Sequence, residues 1–303
     1  MAQPVQKNRS ASQAPEAVPG PIQKPVTIRT LRRIVDSGET FACLTAYDAL
    51  TAGWLQKAGI PVLLVGDTAA EVILGLPSTI HAPLDFMVTL TAAVKRGAPN
   101  CWVIGDMPFL SYQVSESEAI QNAGRFLVEG RADAVKLEVD ASFVPLVARL
   151  TQAGIPAIAH IGSKPQQAVR HGGYYSDGRT APDAIRLLEE AIAFEEAGAV
   201  MILVEAVPEE VAAAIVDAVS IPVIGCGAGA PCHGQIVVTH DLLGMTEWQP
   251  PFAQPVQSVS GSITEIAQTW SDRVRRRAHG EHPYRMREGE AELLREHVRG
   301  GGK

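Results

Sequence analysis

Positive charge is in short supply in this chain. The 26 Lys and Arg face 33 acidic residues, a formal charge of −7. No basic face is therefore available to neutralise phosphates, which argues against a nucleic-acid partner. The one basic run, Arg273 to Arg277 interrupted by Val274, reads as a solvated helix face. Long apolar runs are missing as well. No window reaches the roughly 18 consecutive apolar residues that span a bilayer, so no membrane segment is expected. Residues 1–25 are rich in Pro, Gln, Ser and Ala and carry Lys7 and Arg9. Lacking the apolar centre of a secretory signal, they read as a disordered tail. Cysteines number four, Cys43, Cys101, Cys226 and Cys232, with no CxxC spacing. Reduced thiols in a cytoplasmic protein are the simplest reading. Cys226, Cys232, His233 and His240 lack the spacing of a zinc finger. Aromatics make up only 5%, which suits a core of Ala, Val, Ile and Leu such as layered barrel interiors favour.

What the chain does have is a series of short apolar runs, each closed by an acidic or imidazole side chain. They end at Asp48, Asp67, Asp106, Glu138, His160 and Glu205. Runs of this kind read as strands buried on both faces, as in a parallel sheet covered by helices. Barrel enzymes keep their chemistry at the carboxyl ends of such strands. A single carboxylate there is more often the N-cap of the next helix. Six in succession point to a shared site.

From Val26 onward strand-like and helix-like segments alternate. Helical stretches after Asp48, over 117–130, 144–154 and 181–198, close on glycine before the next apolar run. Strand positions at Phe41, Val62, Trp102, Ala134, Ala157, Met201 and Val223, with an eighth at Gln235 to Val238, close a (β/α)₈ TIM barrel of the α/β class. We expect a single catalytic domain over 26–250 and a helical, charged C-terminal extension over 251–303. An open doubly wound sheet is disfavoured, because the glycines of 225–229 come late and lack the GxGxxG order.

Asp67, Asp106 and Glu138 supply hard oxygen ligands suited to Mg²⁺. A metal with open positions can chelate a 2-oxo acid and stabilise its enolate. Lys136, two residues before Glu138, shares its face of the strand. It can hold a substrate carboxylate, neutralise Asp106 or Glu138, or do both. Glu205 is the candidate catalytic base, provided that burial raises its pKa and the metal acidifies the substrate. His160 can bind the enolate oxygen or substrate carboxylate, or serve only to support its neighbours.

The motifs Leu44-Thr45-Ala46-Tyr47-Asp48, Leu64-Val65-Gly66-Asp67, Arg96-Gly97-Ala98, Asp106 to Gln113, Val135-Lys136-Leu137-Glu138, His160-Ile161-Gly162, Ile221 to Gly225 with Gly227-Ala228-Gly229, Gly234-Gln235 and His240-Asp241 resemble, in order and spacing, the ketopantoate hydroxymethyltransferase family. The resemblance runs from about Val26 to Gly244. It implies transfer of a hydroxymethyl group from 5,10-methylenetetrahydrofolate to 3-methyl-2-oxobutanoate through a Mg-stabilised enolate, giving ketopantoate for pantothenate, by a homo-oligomer that is commonly a decamer. It further implies Asp67 and Asp106 as direct metal ligands, with Glu138 near the metal and acting through water. Thr68, Asp106, Lys136 and His160 become contacts to the 2-oxo acid, and Glu205 the base. Departures from the family pattern fall at Thr68, at 76–83, at Ser163-Lys164, within the loop 172–179 and at His233, in loops expected to rim the site. They motivate an alternative reading, a Mg-dependent aldol-type transferase or carbon-carbon lyase acting on a different 2-oxo acid. A non-catalytic assembly partner is the third reading, and the filled metal and base positions speak against it.

Overall fold

The computed structural model describes residues 20–278 and 280–301. Most of the tail expected over 1–25 lies outside the described residues. Its last part runs along the barrel, with Ile22 N donating to Gln56 O at 3.0 Å and Val26 N to Asn100 O at 2.8 Å. The chain divides into two compact units, one ending at Val256 and the other beginning at Gln257.

In the first unit the apolar runs become eight strands: β1 (Phe41–Thr45), β2 (Val62–Val65), β3 (Trp102–Asp106), β4 (Ala134–Glu138), β5 (Ala157–Gly162), β6 (Met201–Glu205), β7 (Val223–Cys226) and β8 (Gly234–Val237). They form a closed barrel in chain order, all parallel, with β8 pairing back onto β1. Six helices of nine residues or more fill the crossovers from β1 to β7: Ala49–Lys57, Leu84–Gly97, Glu116–Val128, Val144–Gln152, Ala181–Glu196 and Glu209–Ala218. The expected (β/α)₈ barrel is therefore what forms. Its last crossover departs from the pattern, because β7 and β8 are joined by residues 227–233 without a helix.

Helix starts and stops follow local chemistry. Asp48, Ser115 and Thr180 cap the first turns of their helices with side-chain oxygens. Gly59, Gly154 and Gly198 take the left-handed conformation after the helix ends. At the fourth expected glycine stop the left-handed residue is instead Arg131, one position beyond Gly130.

Alternation along each strand separates two layers of core. Val103, Val135, Leu137, Ala159, Ile161, Ile202 and Val204 point outward and pack with Phe126, Leu150, Leu187 and Phe194 of the helices. Phe41, Cys43, Val62, Leu64, Ile104, Ala134, Ile158, Met201, Leu203, Ile224 and Ile236 point into the barrel. Val26 and Leu31, the latter on helix Ile28–Asp36, join this inner cluster. Hydrophobic side chains thus fill the lower barrel. The same inward alternation, carried two residues further along β3 to β6, delivers Asp106, Lys136, Glu138, His160 and Glu205 to the carboxyl end.

The second unit contains helices Val259–Arg275 and Glu290–Gly300. Residues 281–288, inside the extension expected to be helical over 251–303, are not helical. No described helix is long and apolar enough to cross a membrane.

Candidate active site

Strand register sets the first contacts. Asp106 on β3 is the partner of Lys136 on β4, Glu138 of His160 on β5, and Glu205 on β6 of Cys226 on β7. The result is a line of polar side chains across neighbouring strands. Lys136 Nζ lies 2.7 Å from Asp106 Oδ1 and 3.2 Å from His160 Nδ1. His160 Nε2 in turn lies 3.4 Å from Glu205 Oε2. Asp67 follows β2 directly, and its backbone N–H donates to Asp106 Oδ2 at 3.1 Å.

These groups border a cavity of about 490 Å³ at the carboxyl ends of the strands. Asp67, Thr68, Asp106, Lys136, Glu138, His160 and Glu205 all line it, so every site residue expected from the sequence is brought to one place. Asp48 is not. Its carboxylate accepts from Leu50 N and Thr51 N, both at 2.8 Å, and stays exposed, so of the six strand-end groups this one is a cap. The opposite side of the cavity is apolar, built from Leu64, Ile236, Val237 and Val238, with Trp248 and Phe252 also along its lining.

Electrostatics follow from burial. Asp106, Lys136, Glu138 and His160 are each at most 3% exposed. Burial works against the Lys136 ammonium, but Asp106, Asp67 and Glu138 outweigh it and its pKa rises. It therefore stays charged, and an ammonium can only donate. His160 Nδ1 must accept from it, which puts the imidazole proton on Nε2, toward Glu205. Burial, with Lys136 and Lys164 adding to it, holds His160 well below its usual pKa and therefore neutral. Burial also raises Asp106 and Glu138, against the attraction of Lys136. At 2.7 Å the Asp106–Lys136 contact is an ion pair. Neighbouring carboxylates add to the effect of burial, Asp67 on both acids and Asp106 on Glu138.

Glu205 differs from these acids. Its side chain keeps 20% of its surface open to the cavity, yet burial still pushes its pKa up to about 7, with the Cys226 thiol donating to it. Its setting is unusually constrained. Ala206, next in the chain, has a left-handed φ of 49°, a sparsely populated conformation for a residue with a side chain. Ala206 N donates to Cys226 O at 2.9 Å, and Ser163 N to Glu205 O at 2.8 Å. Gly162, at φ 89°, lies so close that a Cβ there would run into the Glu205 carbonyl oxygen.

Among the described residues no three His, Cys, Asp or Glu side chains form a ready-made metal cage. The donor set nevertheless suits a hard divalent cation. Asp67, Asp106 and Glu138 offer only oxygen, and buried Glu138 Oε1 has no hydrogen-bond partner. Three carboxylates also exceed the single ammonium among them.

Three residues near the site had no role assigned from sequence, Tyr47 and Tyr112 within the quoted motifs and Gln166 two residues past Lys164. Tyr47 OH contacts Thr68 Oγ1 at 2.7 Å, while Tyr112 and Gln166 bond to one another beneath the carboxylates. The altered loops divide in two. Thr68, Ser163, Tyr174, Tyr175 and Ser176 do line the cavity. Segment 76–83 does not, and His233 accepts from Val223 N at 3.0 Å away from it.

The family model for ketopantoate hydroxymethyltransferase matches residues 25–282. The 3-methyl-2-oxobutanoate hydroxymethyltransferase of Hyperthermus butylicus is 43% identical, across 89% of this chain and 94% of that protein. The Chloroflexus aurantiacus protein of the same name is 45% identical, across 82% and 89%. Solved structures with the same fold include 2,3-dimethylmalate lyase (16% identity, TM-score 0.55, 91% of this chain and 99% of that one). Another is phosphonopyruvate hydrolase in complex with oxalate and Mg²⁺ (14%, TM-score 0.57, 91% and 98%).

Proposed function

This chain belongs to the ketopantoate hydroxymethyltransferase family, a family of transferase enzymes, and on that premise we propose that it moves a hydroxymethyl group from 5,10-methylenetetrahydrofolate to 3-methyl-2-oxobutanoate. The product is ketopantoate, in pantothenate biosynthesis. The observation that carries the mechanism is a carboxylate with its pKa pushed up to about 7, Glu205, in the same cavity as a buried cluster of three acids and an ammonium.

In this reading Asp67 and Asp106 ligate Mg²⁺ and Glu138 acts through water. A cation held there would supply the positive charge that makes the C3 proton of a 2-oxo acid more acidic. Lys136, fixed by Asp106, binds the substrate carboxylate. The Thr68 hydroxyl, held by Tyr47 OH at 2.7 Å, supplies a further polar contact. His160, with its proton on Nε2, stands 3.4 Å from the Glu205 carboxylate and, having no hydrogen-bond partner there, is free to donate to the enolate oxygen or the substrate carboxylate. Glu205 takes the proton from C3. Water hydrolyses the folate methylene to tetrahydrofolate and formaldehyde, C3 adds to the formaldehyde carbon, and the alkoxide takes the proton back to become the hydroxymethyl group. The branched alkyl group of the substrate fits the apolar wall of Leu64, Leu203 and Ile236.

The test is turnover of 3-methyl-2-oxobutanoate with methylenetetrahydrofolate and Mg²⁺, by the native protein and by Glu205→Gln. Ketopantoate from the first and at least 100-fold less from the second is the expected result, the usual scale for losing a general base. A folded native protein that makes none would overturn the substrate assignment. A panel of other 2-oxo acids would then be the next assay.

A further inference from the structure

Gln166 lies in the short 3₁₀ turn Pro165–Gln167 after β5, outside the strand ends, and is 4% exposed. Both ends of its side-chain amide and its backbone N–H are used. Its Nε2 donates to Asp67 Oδ2 at 2.9 Å and to Met107 O at 3.0 Å. Its Oε1 lies 2.9 Å from Tyr112 OH and 3.5 Å from Gln113 Nε2. Asp67 Oδ2 and Met107 O can only accept, which fixes the NH₂ end of the amide toward them, while the single Tyr112 hydroxyl proton lies within reach of both Gln166 Oε1 and Glu138 O. The backbone N–H of the same residue donates to Glu138 Oε2 at 3.0 Å. Tyr112 OH also accepts from Glu138 N at 3.1 Å.

One residue therefore occupies a single oxygen on each of two cavity carboxylates. On Asp67 it takes Oδ2, and Oδ1 receives no hydrogen bond from the described residues. On Glu138 it takes Oε2, and buried Oε1 is left without a hydrogen-bond partner. We infer that Gln166 is a positioning residue for the divalent cation, selecting which oxygen of Asp67 and which of Glu138 faces it. Tyr112 buttresses the amide from behind. Each carboxylate then presents one defined lone-pair oxygen in place of a freely rotating pair, which favours one-oxygen coordination and the strict geometry that Mg²⁺ demands. Neither residue touches the substrate in this arrangement.

The inference rests on the metal reading above, and the test separates the two. Mn²⁺ binding to the full-length protein is titrated by the loss of its free-ion EPR signal, for native, Gln166→Leu and Tyr112→Phe. Each variant's apo unfolding curve serves as a folding control. Gln166→Leu keeps the bulk and removes both amide ends, and its Mn²⁺ affinity should fall about 10- to 100-fold, the usual effect of losing a group that orients a ligand. Tyr112→Phe removes one hydroxyl and should lower affinity several-fold, which keeps the inference testable if Gln166→Leu does not fold. Native affinity retained within twofold by a folded variant would overturn the positioning role and leave the metal reading standing. A native protein that binds no Mn²⁺ would overturn both.

Discussion

Glu205 and Asp48 each stand close behind an apolar strand, yet one faces the cavity and the other caps a helix. Position along the strand decides it. Glu205 is the last residue of β6, in phase with inward Met201 and Leu203, whereas Asp48 stands three residues past the end of β1. Two predictions separate these roles. Asp48→Ala should lower stability by about 1 kcal/mol, the usual loss for an N-cap, with turnover unchanged. A steep drop in turnover from a folded Asp48→Ala protein would return Asp48 to the site. For Glu205 the active form is the ionised one, and its raised pKa means that this form is lost as pH falls through about 7. Among the groups facing it, Lys136 stays charged, His160 stays neutral, and burial raises the Cys226 thiol. We therefore expect kcat/KM to rise with pH through the neutral range on a single limb. A profile flat across that range would remove Glu205 as the base. Thr68 and the metal roles of the acids rest on resemblance as well as position. Gln166 was given no role because an uncharged amide in a loop declares no chemistry until its partners are placed around it.

At the level of elements, strand identity was legible because a strand buried on both faces leaves a compact apolar run, and seven of the eight lie where those runs are. β8 begins one residue early, at Gly234, since a single edge glycine gives little pattern to read. The helix stop at Arg131 was hidden for a related reason: glycine is the usual left-handed residue, and the adjacent Gly130 drew the expectation. The β5 end offers a sharper test. Gly162→Ala would place a Cβ against the Glu205 carbonyl oxygen in a left-handed backbone. Loss of roughly 1–2 kcal/mol from the backbone conformation alone, with a fall in turnover that Asp48→Ala does not show, is the expected outcome. Thermal unfolding and steady-state rates would check it, and unchanged rates would show that β5 and β6 are not coupled at this point.

For the whole molecule, three buried acids against one ammonium imply a folded state that gains when a cation binds. Free Mg²⁺ at about 100 times its dissociation constant should stabilise the fold by about 2.7 kcal/mol, reversibly with chelator. An unfolding midpoint that ignores both Mg²⁺ and Mn²⁺ would contradict that. Assembly size is a separate expectation, carried by the family resemblance. Sedimentation at ten times the chain mass would agree with it, and a monomer would not. The cavity itself is two-sided. β2 through β6 end in a line of charged and imidazole side chains, while Ile236 and Val237 of β8, with Val238 just beyond it, contribute an apolar wall. Such a partition makes the barrel modular toward change. Substitutions at Ile236, Val237 or Val238 can reshape the berth for a substrate's tail without passing through the network that performs the proton transfer. Diversification toward new 2-oxo acids therefore has an open route on one half of the ring and a closed one on the other.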